Sequence, residues 1–176
     1  MRRLILALTL LLPMAAQADE TGLISEVKLG VLAHDLRFIA ADPVEEGIDI
    51  NAEILFTSPG FFEPIWSPRP HIGAQFNVNG RTSQIYAGLT WTFSLVDRLW
   101  LGASVGGAWH NGETDAVGFS RKALGSKALF RLSAELGYDL TEELSISLYL
   151  DHESNAFLAD RNPGLDNAGV RFGWKF

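Results

Sequence analysis

Apolar and polar residues alternate along the C-terminal part of the chain. From Leu144 to Leu150 every even-numbered position is apolar, and the positions between them are polar or amphipathic. After a loop rich in Asn, Pro and Gly, the even positions from Ala168 to Phe176 are apolar again. A period of two is typical of β-strands with one apolar and one polar face. The pattern therefore predicts two strands here, of which the second ends on an aromatic residue.

The same alternation predicts six strands upstream, at residues 23–31, 48–56, 72–78, 85–93, 99–109 and 128–138. Asn79-Gly80 predicts a tight hairpin between the third strand and the fourth. Residues 33–47 and 111–126 are polar and are expected to form long loops. Residues 58–70 contain four prolines, which exclude a strand there, so we expect a structured loop.

The N-terminus has the order of a secretory signal peptide. Met1-Arg2-Arg3 precedes an apolar run over residues 4–14, and Ala16-Gln17-Ala18 forms an A-x-A cleavage site. We expect residues 1–18 to be removed by cleavage near Ala18 and residues 19–176 to form a single domain. Beyond the first 18 residues no apolar run approaches the roughly 20 residues that a membrane helix needs.

Eight alternating segments fit three architectures: a secreted β-sandwich, a periplasmic barrel and an outer-membrane barrel. Charged residues recur on the polar faces, at Glu53, Lys127, Arg131 and Glu135, which predicts a wet or ion-paired interior. A narrow membrane barrel fills its lumen with such side chains and turns its apolar face to lipid. We therefore predict an all-β, eight-stranded antiparallel transmembrane β-barrel of the bacterial outer membrane. With both chain ends periplasmic, the long segment 58–70 would also be periplasmic, where turns are usually short.

Charge and composition exclude several other functions. The chain has 14 Lys and Arg against 21 Asp and Glu, and a net charge of −7 argues against nucleic acid as a partner. It has no cysteine, so neither disulfides nor thiolate metal sites are expected. His34, His71 and His110 fall near loops or strand starts, and we interpret them as solvated surface residues rather than as metal ligands.

Three residues with hydrolase chemistry share the apolar register of the C-terminal strands. The even positions of the first strand continue to His152 and Ser154, and those of the second begin with Asp166. If His152 lies opposite Asp166 and Leu150 opposite Ala168, the paired Cβ atoms are about 4.5–5.5 Å apart. In a serine hydrolase, His takes the proton of Ser and a carboxylate orients the His. The plainer alternative is that these strand-end residues are polar because they lie among lipid headgroups.

The same stretch carries a recognisable motif, which reads His152-x-Ser154-Asn155-Ala156, then Asn162-x-Gly164, then an acid at position 166 and a terminal strand. The motif resembles that of the PagL-type lipid A 3-O-deacylases, of the acyloxyacyl hydrolase family, over about the last 25 residues. The resemblance implies an eight-stranded outer-membrane barrel that removes an ester-linked acyl chain from the lipid A of lipopolysaccharide. It also implies a Ser/His/Glu triad on the outer surface of the barrel.

By this resemblance Ser154 is the nucleophile, His152 is the general base and Asp166 is the acid, at the place where the family has Glu. Asp is shorter by one methylene, which bears on how it orients the imidazole. The resemblance implies roles in binding the substrate or the oxyanion for Asn155, Asn162 and Gly164. The implied partner is lipid A or lipopolysaccharide in the outer leaflet, the chemistry needs no cofactor or metal, and a homodimer is left open. The alternative function is a non-catalytic eight-stranded barrel that is structural, adhesive or lipid-binding.

Overall fold

The computed structural model describes residues 22–116 and 118–176, so the expected signal peptide and its cleavage near Ala18 lie outside the described residues. The described chain forms eight β-strands and a short 3₁₀ helix, Gly60–Ile65. The strands are β1 (Ile24–Ala33), β2 (Ile48–Phe56), β3 (Arg69–Asn77), β4 (Gln84–Val96), β5 (Leu99–His110), β6 (Ala128–Asp139), β7 (Leu144–Ser154) and β8 (Leu165–Lys175). Each strand contains most of one predicted alternating segment.

The strands close into a barrel. Each strand pairs antiparallel with the next, and β1 pairs with β8. The predicted all-β, eight-stranded antiparallel barrel is therefore confirmed, and a sandwich is excluded. Closure brings the first and last strands together, and Ala33 at the end of β1 lies opposite Ala168 near the start of β8. The loop that follows β1 thus begins beside the start of the last strand.

Charged side chains fill the lumen and pair with one another. Arg171 is buried and donates to Glu53 Oε1 at 2.9 Å and to Glu135 Oε2 at 3.1 Å. Lys28 Nζ lies 2.7 Å from the same Glu135 oxygen. Burying a charge is costly unless a partner of opposite sign offsets the lost hydration. The inward register of the strands supplies these partners, so the predicted ion-paired interior is observed.

A second group of buried charged and aromatic side chains surrounds Arg131. Arg131 donates to Asp151 Oδ2 at 3.1 Å, and its guanidinium lies 3.6 Å from the centre of the Tyr86 ring. Lys127, which the sequence also assigned to the lumen, donates instead to the main-chain carbonyl of Gly112. Lys127 directly precedes β6, so its side chain reaches the adjoining loop rather than an interior carboxylate.

The outer wall of the barrel is apolar. Side chains such as Leu132, Leu148 and Phe172 are more than half exposed on it. An apolar exterior around a polar interior reverses the arrangement of a water-soluble protein and is typical of a membrane barrel. None of the described residues forms a helix that is both long and apolar enough to span a membrane.

Four loops lie at the barrel end opposite the start of β1 and the end of β8, which we call the outer end. We name them the first loop (34–47), the second loop (78–83), the third loop (111–127) and the fourth loop (155–164). The other end carries two short turns and the proline-rich segment between β2 and β3.

The proline-rich segment differs from the prediction. β3 begins at Arg69, so Pro70 lies within a strand, whereas the prolines of residues 58–70 predicted that no strand would form there. Pro70 pairs with Leu89 of β4, whereas pairing of β3 with β2 begins only at His71. Proline is tolerated near the start of a strand because no ladder hydrogen bond needs its missing N–H.

His34, His71 and His110 are buried, so their interpretation as solvated surface residues is wrong. His34 Nδ1 lies 2.8 Å from Asp49 Oδ2, and His71 Nδ1 lies 2.9 Å from the Thr90 hydroxyl. The third histidine bonds a main-chain carbonyl at 2.7 Å. Each of these imidazoles therefore has at least one bonded ring nitrogen, while His71 Nε2 and His110 Nδ1 have no hydrogen-bond partner among the described residues.

Candidate active site

The pairing of β7 with β8 brings His152 and Asp166 together. His152 lies opposite Asp166 and Leu150 opposite Ala168, which is the register predicted from the sequence. β8 begins at Leu165, three residues before the alternation that predicted it, so Asp166 belongs to the strand. Both His152 and Asp166 lie in the register of Leu150 on the outer wall, and the carboxylates that flank His152 point into the lumen.

The imidazole of His152 is held by a short contact. Its Nδ1 lies 2.6 Å from Asp166 Oδ1. A carboxylate can only accept a hydrogen bond, so Nδ1–H is the donor and Nε2 is the nitrogen left to accept a proton. The His152 side chain is 15% exposed, while that of Asp166 is 0% exposed. The imidazole therefore has an accessible edge, and the carboxylate that orients it is enclosed.

The first loop covers the Asp166 carboxylate. Oδ2 accepts the main-chain N–H groups of Phe38, Ile39 and Ala40 at 2.8, 2.5 and 2.8 Å. The main-chain carbonyl of Asp166 accepts the N–H of Leu36 at 2.7 Å. Charge-assisted bonds of this kind are strong and directional, so both carboxylate oxygens have fixed partners. The side-chain pattern of residues 34–47 carried no signal of this, because the donors are all main-chain groups.

Ser154 is the last residue of β7 and lies on the same face as His152, opposite Phe130 of β6. Its side chain is half-buried. Within the described residues, no hydrogen bond joins Ser154 Oγ to His152. Of the three predicted catalytic residues, the structure thus joins two by a hydrogen bond and holds the third two positions along the same strand.

The chain turns sharply directly after Ser154. Ala156 and Phe157 both have left-handed backbone angles, with φ of 51° and 62°. Leu158 N–H donates to the carbonyl of Asn155 at 3.0 Å and closes the turn. Left-handed angles cost free energy in residues other than glycine, and such strain is concentrated at functional sites. The turn ends β7 at Ser154 and carries the chain over the barrel rim.

Asn155 and Asn162 hold the fourth loop in place. Asn155 Nδ2 donates to the carbonyls of Leu124 and Arg161 at 2.9 and 2.5 Å. Its main-chain N–H donates to Asn162 Oδ1 at 2.9 Å. Both amide hydrogens of the Asn155 side chain are therefore engaged with main-chain carbonyls.

Gly164 leaves room for the imidazole of His152. It has a φ of 68°, which side-chain-bearing residues rarely adopt. A Cβ atom at this position would lie 2.9 Å from His152 Cε1. Both the backbone angle and the space beside the ring therefore require glycine.

An apolar cleft of about 590 Å³ adjoins the site. Its wall includes Phe130, which pairs with Ser154, together with Ala128, Leu158 and Ala159. A larger cleft of about 840 Å³ shares part of this wall and extends over β2–β5. The larger cleft contains none of the predicted site residues, whereas the smaller one is lined in part by Asn155, the residue after Ser154. Among the described residues no group of three or more His, Asp or Glu side chains is placed to hold a metal ion.

Comparison with known proteins identifies the family. The model of the family described as lipid A 3-O-deacylase (PagL) matches residues 66–175. The crystal structure of the outer membrane enzyme PagL matches with a TM-score of 0.63 and 17% identity, over 86% of this chain and 100% of that chain. The Yersinia pestis outer membrane protein Ail matches with a TM-score of 0.50 and 12% identity, over 87% of this chain and 99% of that one. No curated protein sequence matches.

The family match reaches well upstream of the C-terminal motif. It covers more than half of the chain and includes every strand from β3 onward. The protein is accordingly a barrel of the Gram-negative outer membrane, as predicted. The comparisons give no support to the homodimer that the sequence left open. The chain belongs to the PagL family of lipid A 3-O-deacylases.

Proposed function

We propose that this protein is an outer-membrane serine esterase that removes the 3-O-linked acyl chain from lipid A, with Ser154, His152 and Asp166 as its triad. The observation that carries the proposal is the 2.6 Å contact between His152 Nδ1 and Asp166 Oδ1 on the apolar wall. An ionisable side chain such as that of His152 is costly on a lipid-facing wall, so its retention there calls for a function. Membership of the deacylase family supplies the reaction class.

The reaction proceeds through an acyl-enzyme. His152 Nε2 takes the proton of Ser154 as Oγ attacks the ester carbonyl, and the same proton passes to the sugar oxygen as the C–O bond breaks. Water then attacks the acyl-serine ester, with His152 again taking and returning a proton. The products are a free carboxylic acid and lipid A with one free hydroxyl. Asp166 keeps Nδ1 protonated and stabilises the imidazolium that forms at each step.

Ser154 reaches His152 by reorienting its side chain. Residues two apart on a strand have Cα atoms about 6.5–7 Å apart and project from the same face, so their side chains can meet. Contacts between nucleophile and base are often long in free enzymes and tighten when substrate binds. Because the outer wall meets the outer leaflet at this height, the ester of a membrane lipid reaches Ser154 from the side.

We assign Asn155 and Asn162 a bracing role in stabilising the oxyanion. The resemblance implied that they lie near the oxyanion hole, but both amide hydrogens of Asn155 are bonded to carbonyl groups. The donors to the oxyanion then come from the main chain of the fourth loop, whose shape these two side chains maintain. Gly164 contributes by leaving the imidazole in its place.

The apolar cleft beside Ser154 suits the acyl chain. Phe130 and Ala128 form its floor on β6, and Leu158 and Ala159 close it from the fourth loop. Each CH₂ group removed from water contributes about 0.8 kcal/mol. Ordinary bilayer lipid competes for the same surface, so the cleft positions the ester more than it adds affinity.

The test is mass spectrometry of lipid A from cells that express the wild-type protein, Ser154→Ala or His152→Asn. We expect the wild type alone to release one hydroxyacyl chain, since both variants lose an atom that makes or breaks a bond. Heat-dependent mobility of the barrel on gels verifies that each variant is folded in the outer membrane.

One observation favours the second candidate, a non-catalytic barrel that binds lipid. The described residues contain no hydrogen bond between Ser154 and His152, so a proton path from the hydroxyl is not preformed. Unchanged lipid A in all three strains, with the wild-type barrel folded, would establish this alternative and refute the esterase.

A further inference from the structure

A buried ion pair holds the first loop to the third loop. Lys122 of the third loop is 2% exposed, and its Nζ lies 2.5 Å from Asp35 Oδ1 in the first loop. The other oxygen of Asp35 accepts the N–H groups of Val44 and Glu45 at 2.7 and 2.8 Å. Asp35 therefore closes the first loop on itself, and Lys122 supplies the charge that allows this carboxylate to be buried.

A second contact strengthens the same connection. The main-chain N–H of Lys122 donates to Glu45 Oε1 at 2.9 Å. Glu45 Oε2 accepts the N–H of Thr82 in the second loop at 2.8 Å and lies 3.3 Å from His34 Nε2. One residue of the third loop thus binds the first loop through both its side chain and its main chain.

The residues that follow Lys122 contact the other half of the site. The carbonyl of Leu124 accepts a hydrogen bond from Asn155, the residue after Ser154. The Leu124 side chain packs in a buried apolar cluster with Leu165, the residue before Asp166. The segment 122–125 therefore lies between the loop that covers the acid and the loop that follows the nucleophile.

We propose that Lys122 is a positioning residue for the His152–Asp166 pair, an inference that rests on the proposed function. Lys122 holds the first loop down, and the loop in turn keeps its N–H groups on Asp166 Oδ2. Without the ammonium group, Asp35 is a buried carboxylate with no counter-charge, and the first loop must open to hydrate it. Asp166 then loses three donors and is free to rotate away from Nδ1.

The expected signature is a loss of turnover without a loss of substrate binding. Lys122 does not line the apolar cleft, so Lys122→Met leaves the surface that meets the acyl chain unchanged. A misplacement of about 1 Å in a catalytic group costs up to about 10²-fold in rate. We expect Lys122→Met to lower kcat by about 10- to 100-fold and to change KM by less than about twofold.

The experiment uses the full barrel in lipopolysaccharide-containing vesicles for kinetics and in micelles for NMR with ¹⁵N-labelled histidine. The His152 Nδ1 proton, assigned by its loss in His152→Asn, reports directly on the bond to Asp166. The matched control is Arg37→Gln, which breaks an exposed 2.8 Å ion pair with Asp42 in the same first loop. Exposed pairs contribute little, so the control should behave as wild type in both measurements.

A lower kcat together with a broadened or lost Nδ1 proton signal in Lys122→Met supports the inference. Wild-type kcat, or a reduced kcat with an unchanged Nδ1 signal, overturns it. If Lys122→Met does not fold, Lys122→Gln removes the charge while keeping a polar side chain and is judged by the same two readouts. If the wild-type protein does not cleave lipid A, the proposed function fails, and the Nδ1 signal alone still decides whether Lys122 holds the pair.

Discussion

Two neighbouring residue pairs of β7 and β8 face opposite sides of the barrel wall and have different partners. Asp151 lies opposite Asn167 and points into the lumen, where Arg131 and the Asn167 amide occupy both of its oxygens at 3.1 and 2.8 Å. His152 lies opposite Asp166, one position further along, and faces outward.

The difference separates a structural carboxylate from the one that we propose to be functional. The inward carboxylate of Asp151 is saturated by the guanidinium of Arg131, the amide of Asn167 and the hydroxyl of Tyr149, so it contributes to the packing of the lumen. The outward carboxylate, Asp166, holds the imidazole of His152. This imidazole can still exchange a proton, because its side chain is 15% exposed. A single step along a strand thus moves a side chain from the lumen to the outer wall of the barrel.

The largest effect should come from breaking the outward pair. Asp166→Asn presents an amide where the carboxylate was, and an imidazole held in the wrong tautomer costs roughly 10⁴-fold in kcat in serine hydrolases. Asp151→Asn is the matched change on the inward pair and should leave kcat per folded molecule within a few-fold. The measurement is deacylation of purified lipopolysaccharide, normalised to folded barrel. Equal losses in the two variants would erase the distinction between the pairs.

A smaller effect should follow from crowding the outward imidazole. Gly164→Ala introduces a Cβ about 2.9 Å from His152 Cε1 at a left-handed φ, so the ring must move. We expect about a 10²-fold loss of kcat, as for other misplaced catalytic groups. Gly80→Ala is the control, because Gly80 also has a positive φ, of 73°, but no heavy atom lies near its added Cβ. If both glycines tolerate alanine equally, the room beside the ring is unimportant.

The smallest effect should be a local dependence on pH at the first loop. Burial by itself lowers the pKa of His34, but its bonds to Asp49 and Glu45 outweigh burial and raise the pKa to about 9. Burial raises the pKa of Glu45, but bonds from His34 and from the N–H groups of Lys122 and Thr82 lower it to about 2. The contribution of His34 is complete below its ordinary pKa near 6.5 and is lost as pH rises through about 9.

The contribution of Glu45 has the opposite sign, being complete above about 4.5 and lost as pH falls toward about 2. The first loop should therefore be best protected between these limits. Raising the pH past 9 should cost on the order of 3 kcal/mol of local opening free energy. Hydrogen exchange of residues 34–47, corrected for intrinsic rates, measures this, and His34→Gln should abolish the alkaline loss. A flat protection profile in the wild type would show that the loop does not depend on these charges.

Sequence reasoning succeeded where the information is local. Alternation with a period of two predicted every strand and the parity of His152 and Ser154. The pairing of His152 with Asp166 was a hypothesis about the register, which parity alone does not fix, and the structure confirms it. It failed at residues whose neighbours are set by the barrel as a whole. The histidines 34, 71 and 110 looked like surface residues because the predicted segments ended short of all three, whereas β3 includes His71, β5 includes His110 and the polar interior extends beyond β1 to His34.

What the sequence determined by itself is the barrel, its polar interior, its family and the side of the wall on which the candidate triad lies. Only the tertiary structure revealed that the first loop covers Asp166 and that Lys122 secures this loop. The physical reason is closure: β1 pairs with β8, so the N–H of Phe38 meets a carboxylate 128 residues further along the chain. Main-chain donors carry no side-chain pattern, and contacts across such a distance exist only once the ends of the sheet have joined.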